Sequence, residues 1–344
     1  MLCFNGGRAS RGGGVCAKGV GMGLEIDVDL LQEFERYLDP RHPELSDIPA
    51  KVLGYGEIST VFEIGDARQR DLAYKRMPIF ENDSELDHYK KTFDEYCRVL
   101  VEEIGLELPP YGYAALPPGV GMRVLFLAQK KLAPESIGNK AIHILSRDDT
   151  VRLVRQVLRE LAKLWEFNAR KGPFELGIDG QISNWSIKGF DAESTRLADD
   201  ISLVYFDTST PFLRIDGVEQ LDPELFLRSA PSFLVWIMRR LFLEDVMTRY
   251  YDFHLVATDL IANFYKEQLP EYIPGLIEAA NDFFETEAAN LGVAPLTEKE
   301  VRSYYREDAV IWSLYLNARR IDRFLRTRLM RRDYPYILPG KIKR

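Results

Sequence analysis

The chain has 344 residues, a mass of 39.6 kDa and a formal charge of −8, with 46% hydrophobic and 28% charged residues. These proportions exclude a disordered or fibrous protein, and no apolar run reaches the roughly 18 residues that predict a transmembrane helix. The three cysteines and four histidines show neither disulfide nor zinc-ligand spacing, so the sequence predicts a cytoplasmic protein without structural zinc.

The charge is distributed unevenly along the chain. Residues 301–344 carry twelve Lys or Arg and four Asp or Glu, a net charge of +8, so residues 1–300 carry −16. In that basic segment, arginines alternate with Leu314, Ile321, Phe324 and Leu329, a pattern that predicts an amphipathic helix. Its cationic face is either simply solvated or binds an anionic partner, such as a membrane surface, a phosphorylated substrate or nucleic acid. The acidic remainder gives no strong nucleic-acid signal.

The chain order predicts four segments. Residues 1–22 are rich in glycine and contain no acid, which indicates a disordered leader. Residues 23–47 hold a short amphipathic helix over Leu30–Leu38, which Pro40 ends. Residues 48–132 are dominated by strands, and residues 133–344 are mainly helical.

The strand-rich segment predicts five strands. Period-two alternation over 51–66 gives two strands around a glycine turn, and Leu72–Pro78 gives a third. A helix over about 84–103 follows, closed by Gly105, and then come strands Tyr111–Leu116 and Arg123–Gln129. The prediction is a small sheet with one helix inserted after its third strand.

The helical segment begins with a clear amphipathic helix, whose apolar residues recur every three or four positions at Val151, Val154, Leu158, Leu161 and Trp165. Two extended stretches follow, over 177–187 and 201–207, and the polar residues 189–200 between them read as a hairpin connection. Helical periodicity returns from about 222 to 330.

A glycine-containing hairpin lies at residues 54–60. Because a strand follows the glycines and not a helix, the sequence disfavours a dinucleotide-binding turn. Gly54 and Gly56 allow the backbone to approach phosphate groups closely, with Ser59 at the third position. A plain tight turn is the alternative.

Lys75 follows Leu72-Ala73-Tyr74 on the third strand, so it either extends to solvent or reaches a phosphate in a cleft. If it points inward it needs a carboxylate partner, because a buried unpaired ammonium is strongly penalised. We expect Glu95 on the following helix to be that partner, although Asp94, Glu102 and Glu103 share the same helix.

The segment G-I-D-G-Q-I-S-N-W-S-I places Asp179 and Asn184 five residues apart, and Asp207 ends the strand L-V-Y-F. Three oxygen-bearing side chains near strand ends suit Mg²⁺, which prefers oxygen ligands and bridges phosphates. Ordinary turn residues are the alternative.

Taken in order, these residues resemble the protein-kinase-like superfamily, and within it the aminoglycoside- and choline-phosphotransferase type more than protein kinases. The resemblance covers roughly residues 48–210. It implies an α+β, bilobal fold, with a small five-stranded N-lobe containing one helix and a mainly helical C-lobe.

The resemblance also implies roles. ATP and Mg²⁺ are the expected cofactors, with the hairpin over the phosphates, Lys75 on the α- and β-phosphates and Glu95 holding Lys75. Asp179 and Lys75 are the expected catalytic residues, with Asp179 receiving the acceptor's proton. Asn184 and Asp207 are the expected metal ligands, and the backbone near Lys130 and Leu132 is expected to meet adenine.

The sequence departs from the family pattern at several positions. Gly177 stands where a histidine is usual, Thr208 and Ser209 follow Asp207, and Ala230-Pro231-Ser232 lacks the glutamate of a peptide-binding platform. A small-molecule hydroxyl is therefore the expected acceptor. The alternative is a catalytically inactive kinase-like scaffold. An aspartic protease is excluded, because Y-F-D-T-S-T-P at 205–211 has no second copy.

Overall fold

The structure is a computed structural model that describes residues 24–56, 59–116, 123–194, 196–228, 235, 247–331 and 334–339. The predicted leader at 1–22 and the tripeptide 230–232 lie outside the described residues. The chain folds into a mixed α/β structure with one five-stranded antiparallel sheet and several helices.

The sheet forms where the period-two alternation predicts it. Its strands are β1 (Ala50–Tyr55), β2 (Thr60–Ile64), β3 (Leu72–Phe80), β4 (Tyr111–Ala115) and β5 (Arg123–Lys130), in the spatial order β1-β2-β3-β5-β4. Neighbouring strands are antiparallel throughout. The prediction of five strands with one helix after the third is confirmed.

That helix, α2 (Asp83–Arg98), starts at an N-cap asparagine and continues as one π-helical stretch to Ile104. Asn82 accepts a hydrogen bond from the Glu85 N–H, which satisfies a free donor of the first turn. Gly105 ends the helix with φ of 82°, a left-handed conformation that glycine adopts without a Cβ penalty.

The two faces of the sheet are covered by different partners. On one face, helix α1 (Val28–Tyr37) packs Phe34 edge-on against Phe62 and Phe126, with centroids 5.8 and 6.2 Å apart. Ile337 from the C-terminal segment joins this apolar cluster. On the other face, Met77 and Leu125 pack into the larger core that α2 shares with the helical half. Burying each such side chain contributes roughly 1.5–3 kcal/mol.

Six further helices follow in the described residues. They are α3 (Gly138–Ala141), α4 (Arg147–Asn168), α5 (Glu224–Arg228), α6 (Phe253–Lys266), α7 (Ile273–Thr286) and α8 (Glu298–Phe324), the last continued by a π-helical turn, Leu325–Leu329. Helix α4 packs on α7, and α6 packs on α8. The predicted apolar face of α4 is confirmed by the burial of Val154, Leu158 and Leu161.

Five short strands lie between α4 and α5. β7 (Trp185–Ile187) pairs with β8 (Leu203–Tyr205), so residues 189–200 are a hairpin connection, as predicted. β6 (Phe174–Leu176), β9 (Leu213–Ile215) and β10 (Val218–Glu219) form a second small sheet that the sequence did not indicate. Strands of two or three residues are too short to display a period.

The basic helix predicted near the C-terminus is α8 with its π-helical turn. One arginine departs from the expected cationic face, because Arg319 is buried between the rings of Tyr315 and Tyr336, at 5.3 and 5.2 Å. Across the part of the chain that the structure describes, no helix is long and apolar enough to cross a membrane.

Candidate functional site

A cavity of about 310 Å³ lies where the sheet meets the helical half. Strand β3 and the β1–β2 hairpin line one side, and the 179–184 segment and the residues after β8 line the base. Helices α6 and α8 line the opposite side. The predicted site residues that reach this cavity are Gly56, Ser59, Lys75, Asp179, Asn184 and Asp207.

Lys75 reaches the cavity because of strand alternation. Its neighbours Tyr74 and Arg76 point to the α1 side of the sheet, where Tyr74 packs on Phe126 and Arg76 binds Glu35. Lys75 therefore points the other way. Its Nζ lies 2.5 Å from Asp207 Oδ1 and donates to Ser209 Oγ at 2.9 Å. Burial raises the pKa of Asp207, but the Lys75 ammonium and the hydrogen bonds from Lys75 and Ser209 outweigh it and lower that pKa below its ordinary value.

The expected Lys75–Glu95 pair is not formed. Glu95 binds Arg98 one turn later on the same helix, at 2.9 Å, and is absent from the cavity lining. The side of α2 that approaches the site carries Tyr89, which donates to the Ser209 carbonyl at 2.7 Å. Six residues at about 100° each rotate Glu95 some 240° away from Tyr89, so it faces elsewhere. The partner of Lys75 is Asp207.

Asp179 is held by a tight glycine-flanked segment. A Cβ at Gly177 would lie 2.9 Å from the Tyr250 carbonyl oxygen, and one at Gly180 would lie 2.6 Å from Val256 Cγ1. Only glycine fits this close to helix α6 and its preceding turn. Asp179 Oδ1 accepts from the Gln181 N–H at 3.2 Å. Burial, and then the nearby Asp207 carboxylate, raise the pKa of Asp179.

The β7–β8 hairpin brings Asn184 to Asp207. Trp185 pairs with Tyr205, so the preceding Asn184 lies opposite Phe206, whose N–H donates to the Asn184 carbonyl at 3.1 Å. The Asn184 amide donates to the Asp179 carbonyl at 3.1 Å. The long separation in sequence between Asn184 and Asp207 is absorbed by the 189–200 connection.

One carboxylate of the site escaped the sequence analysis. Asp259 on α6 accepts hydrogen bonds from Gln181 Nε2 at 3.1 Å and Asn263 Nδ2 at 3.2 Å. Burial, and then Asp179, raise its pKa. The buried oxygen Oδ1 of Asn263 has no hydrogen-bond partner among the described residues. The sequence contained a signal for Asp259. Asp259 and Asn263 are four residues apart in the otherwise apolar run D-L-I-A-N-F, so they lie on the same side of a helix.

Four predicted cofactor residues lie outside the cavity lining: Glu95, Gly54, Lys130 and Leu132. A Cβ at Gly54 would contact nothing within 4 Å, so no close approach requires glycine there. The Lys130 N–H is used by the Pro110 carbonyl at 2.9 Å. Gly56 and Ser59, in contrast, close the hairpin at the cavity through a 2.9 Å hydrogen bond from Gly56 N–H to the Ser59 carbonyl.

The chain is thus a mixed α/β protein whose sheet contributes a lysine, and whose helical half contributes carboxylates, to one cavity. It belongs to a family of unknown function, DUF6206, whose model matches residues 41–323. No curated protein matches it significantly. A solved structure titled "WaaP in complex with acyl carrier protein" is 13% identical, covers 71% of this chain and 89% of its own, and has a TM-score of 0.30. That TM-score does not establish a common fold.

Proposed function

We propose that this chain is a phosphotransferase with a bilobal kinase-like fold, which uses ATP and Mg²⁺ to phosphorylate a small-molecule hydroxyl. The observation that carries the proposal is the Lys75–Asp207 pair, joined at one cavity by Asp179 and Asn184. A cation for phosphate, two oxygen ligands for a metal and a carboxylate base are the parts that phosphoryl transfer needs.

The donor set fits Mg²⁺. Asp207 is held ionised by Lys75, and no described residue donates to Oδ1 of Asn184, whose amide nitrogen is turned to Asp179. Mg²⁺ is commonly held by one or two such oxygen ligands together with substrate phosphates and water. When bound it would offset the negative charge that develops on the transferred phosphoryl group.

Each residue of the chain has a role in this proposal. Lys75 binds phosphate oxygens, and Gly56 and Ser59 line the same cavity on the sheet side. As the bond between the γ-phosphorus and its bridging oxygen breaks and the acceptor oxygen bonds to phosphorus, Asp179 takes the hydroxyl proton on Oδ2. Its Oδ1 stays bound to the Gln181 N–H, and its raised pKa suits a proton acceptor.

The walls of the cavity support a small acceptor. Helix α8 closes one side with Tyr304, Asp308 and Trp312, and helix α6 supplies Asp259 and Lys266. A volume of about 310 Å³ is at the lower end of small-molecule sites. An extended peptide would need an open groove.

A nucleotide-binding protein without catalysis is the second candidate. One observation favours it: Glu95, the residue expected to hold the catalytic lysine, pairs with Arg98 and not with Lys75. Both candidates bind a nucleotide, but only the phosphotransferase converts ATP to ADP.

The test is a thermal-shift titration with ATP and GTP, with and without Mg²⁺, followed by ADP release measured with a panel of small hydroxyl compounds. A ligand at about a hundred times its dissociation constant stabilises by about 2.7 kcal/mol. We expect a Mg²⁺-dependent shift that Asp207→Asn abolishes, that Asp179→Asn retains, and that the exposed control Asp200→Asn leaves unchanged. ADP release should be lost in Asp179→Asn.

Two other results decide against the phosphotransferase. A shift that survives Asp207→Asn would remove the metal-nucleotide assignment. A Mg²⁺-dependent shift with no ADP release above background in the wild type would leave the binding protein as the function.

A further inference from the structure

The outward side of helix α8 carries an apolar stripe that the core does not use. Val310, Leu314, Ile321 and Phe324 are between 50% and 67% exposed. At 100° per residue these four positions fall within about 80° of one another, along about 21 Å of helix. The opposite side of the helix carries the buried residues Tyr315, Ala318 and Arg319. The stripe therefore lies on the solvent side of the helix, away from the residues that anchor it.

Exposed apolar side chains are concentrated in this part of the protein. Of the twelve large apolar residues exposed in the described ranges, six lie within residues 310–330, which include Leu329 and Met330 after the end of α8. One polar residue, Asn317, is exposed within the stripe, between Leu314 and Ile321. A surface helix normally presents polar residues to water, so this concentration of exposed apolar side chains marks an interaction site.

An arginine-lined groove adjoins the stripe. It has a volume of about 490 Å³ and is lined by Arg41, His42, Arg320, Arg323, Phe324, Thr327 and Arg328. Within the described residues no carboxylate lines this groove. The nearby Asp322 is bound by Arg326 at 2.9 Å. Phe324 belongs to both the stripe and the groove, so the apolar and cationic surfaces are continuous.

We propose that this surface, the α8 stripe with its arginine groove, binds the surface of a membrane that contains anionic lipids. Aliphatic side chains beside arginines suit the boundary between lipid headgroups and acyl chains. There the aliphatic side chains lie among the acyl chains, and the arginines bind the headgroup phosphates. Nucleic acid is disfavoured, because the aliphatic Val310, Leu314 and Ile321 neither stack on bases nor bind phosphate.

The charge distribution of the chain determines how the protein would be oriented at an anionic membrane surface. The chain as a whole carries −8, so an anionic surface repels most of it, while residues 301–344 carry +8. An approach with the C-terminal end of α8 foremost brings the described arginines Arg320, Arg323 and Arg328 to the anionic surface. Attraction of this kind falls as salt shortens the Debye length.

The test is co-sedimentation of the full chain with vesicles of phosphatidylcholine alone or with about 30% phosphatidylglycerol. We expect binding to the anionic vesicles only, weakening with added NaCl. Removing two arginines, Arg323→Gln with Arg328→Gln, should lower the partition coefficient roughly tenfold or more, since each basic residue contributes about a factor of five. Ile321→Ser with Phe324→Ser should reduce binding at every salt concentration.

Matched controls remove the same chemistry elsewhere. Arg70→Gln with Lys91→Gln deletes two exposed cations, and Leu45→Ser with Val218→Ser deletes two exposed apolar side chains. Both controls should bind vesicles as the wild type does, and thermal melts should show all variants folded. Equal losses in variants and controls would overturn the proposal.

Three further outcomes would also overturn it. The first is no binding of the wild type to either type of vesicle. The second is binding to polyglutamate through the same arginines without binding to vesicles, which would indicate an acidic protein partner. The third is a dimer seen by light scattering and lost in the Ile321 and Phe324 double variant, with no vesicle binding, which would indicate a second copy of the chain.

Discussion

Two neighbouring residues of strand β3 show how differently the two faces of the sheet use a buried cation. Arg76, on the α1 side, binds both carboxylate oxygens of Glu35 and donates to the Pro335 carbonyl, with its side chain 6% exposed. Lys75, on the other side, binds Asp207 at the wall of a cavity. The first pair closes a packed interface, and the second pair borders a space that a ligand can enter.

The difference separates a charged pair that stabilises the fold from a charged group that forms a functional site. The Arg76 guanidinium donates to three acceptor atoms, two from Glu35 and one from Pro335, so it ties α1 and the C-terminal segment to the sheet. Around Lys75 the carboxylates Asp179, Asp207 and Asp259 converge, and burial with mutual repulsion raises the pKa of two of them. Clustering like charges is costly for folding, so its presence indicates a function.

The largest effect on stability is expected when the Arg76–Glu35 pair is broken. Glu35→Gln leaves the Arg76 guanidinium buried without its carboxylate, and we expect a loss of roughly 3 kcal/mol in the free energy of unfolding. Urea denaturation measures it. A loss near zero would mean that water reaches Arg76 and that the two faces do not differ as described.

The next effect concerns the pH dependence of stability. Asp179 and Asp259 have raised native pKa values, so the native state keeps protons that the unfolded chain has lost. Stability therefore falls as the pH rises from about 4 through the native pKa values. Asp259→Asn removes one carboxylate of the pair, so this fall should be smaller by about 1–2 kcal/mol.

Urea melts from pH 4 to pH 8 test this change. The comparison uses the slope with pH and not the absolute stability, because the substitution also alters the hydrogen bonds from Gln181 and Asn263. Parallel curves for the wild type and Asp259→Asn would show that the pKa of Asp259 is not raised in the native state.

A smaller effect is expected at the functional pair. Asp207→Asn removes the partner of Lys75, yet it also removes the repulsion that Asp207 exerts on Asp179, and water in the cavity can solvate the ammonium. We expect the free energy of unfolding to change by less than about 1 kcal/mol. A loss as large as that of Glu35→Gln would make the Lys75–Asp207 pair structural.

The smallest effect is expected at Glu95. Its pair with Arg98 lies on the surface of α2, so Glu95→Gln should change stability by less than about 0.5 kcal/mol and leave any nucleotide-induced thermal shift intact. Loss of that shift would show that Glu95 turns to Lys75 when ligand binds, as the sequence analysis expected.

Local pattern was enough for much of the fold. Alternation in L-A-Y-K-R-M-P predicted β3 but left the direction of Lys75 open. The apolar face of α4 and the 189–200 connection were also recognised. The two-residue and three-residue strands β6, β9 and β10 were not, because so few residues display no period. The bilobal arrangement and the ATP and Mg²⁺ roles stay predictions.

The sequence by itself determined which residue types stand at the ends of which strands, since alternation and turn chemistry act over a few neighbouring residues. Only the tertiary structure decided their partners: Asp207 in place of Glu95 for Lys75, Asp259 beside Asp179, and Arg319 between two tyrosines. The physical reason is distance along the chain. Lys75 and Asp207 are 132 residues apart, and their contact depends on how sheet and helices pack, which no local pattern encodes.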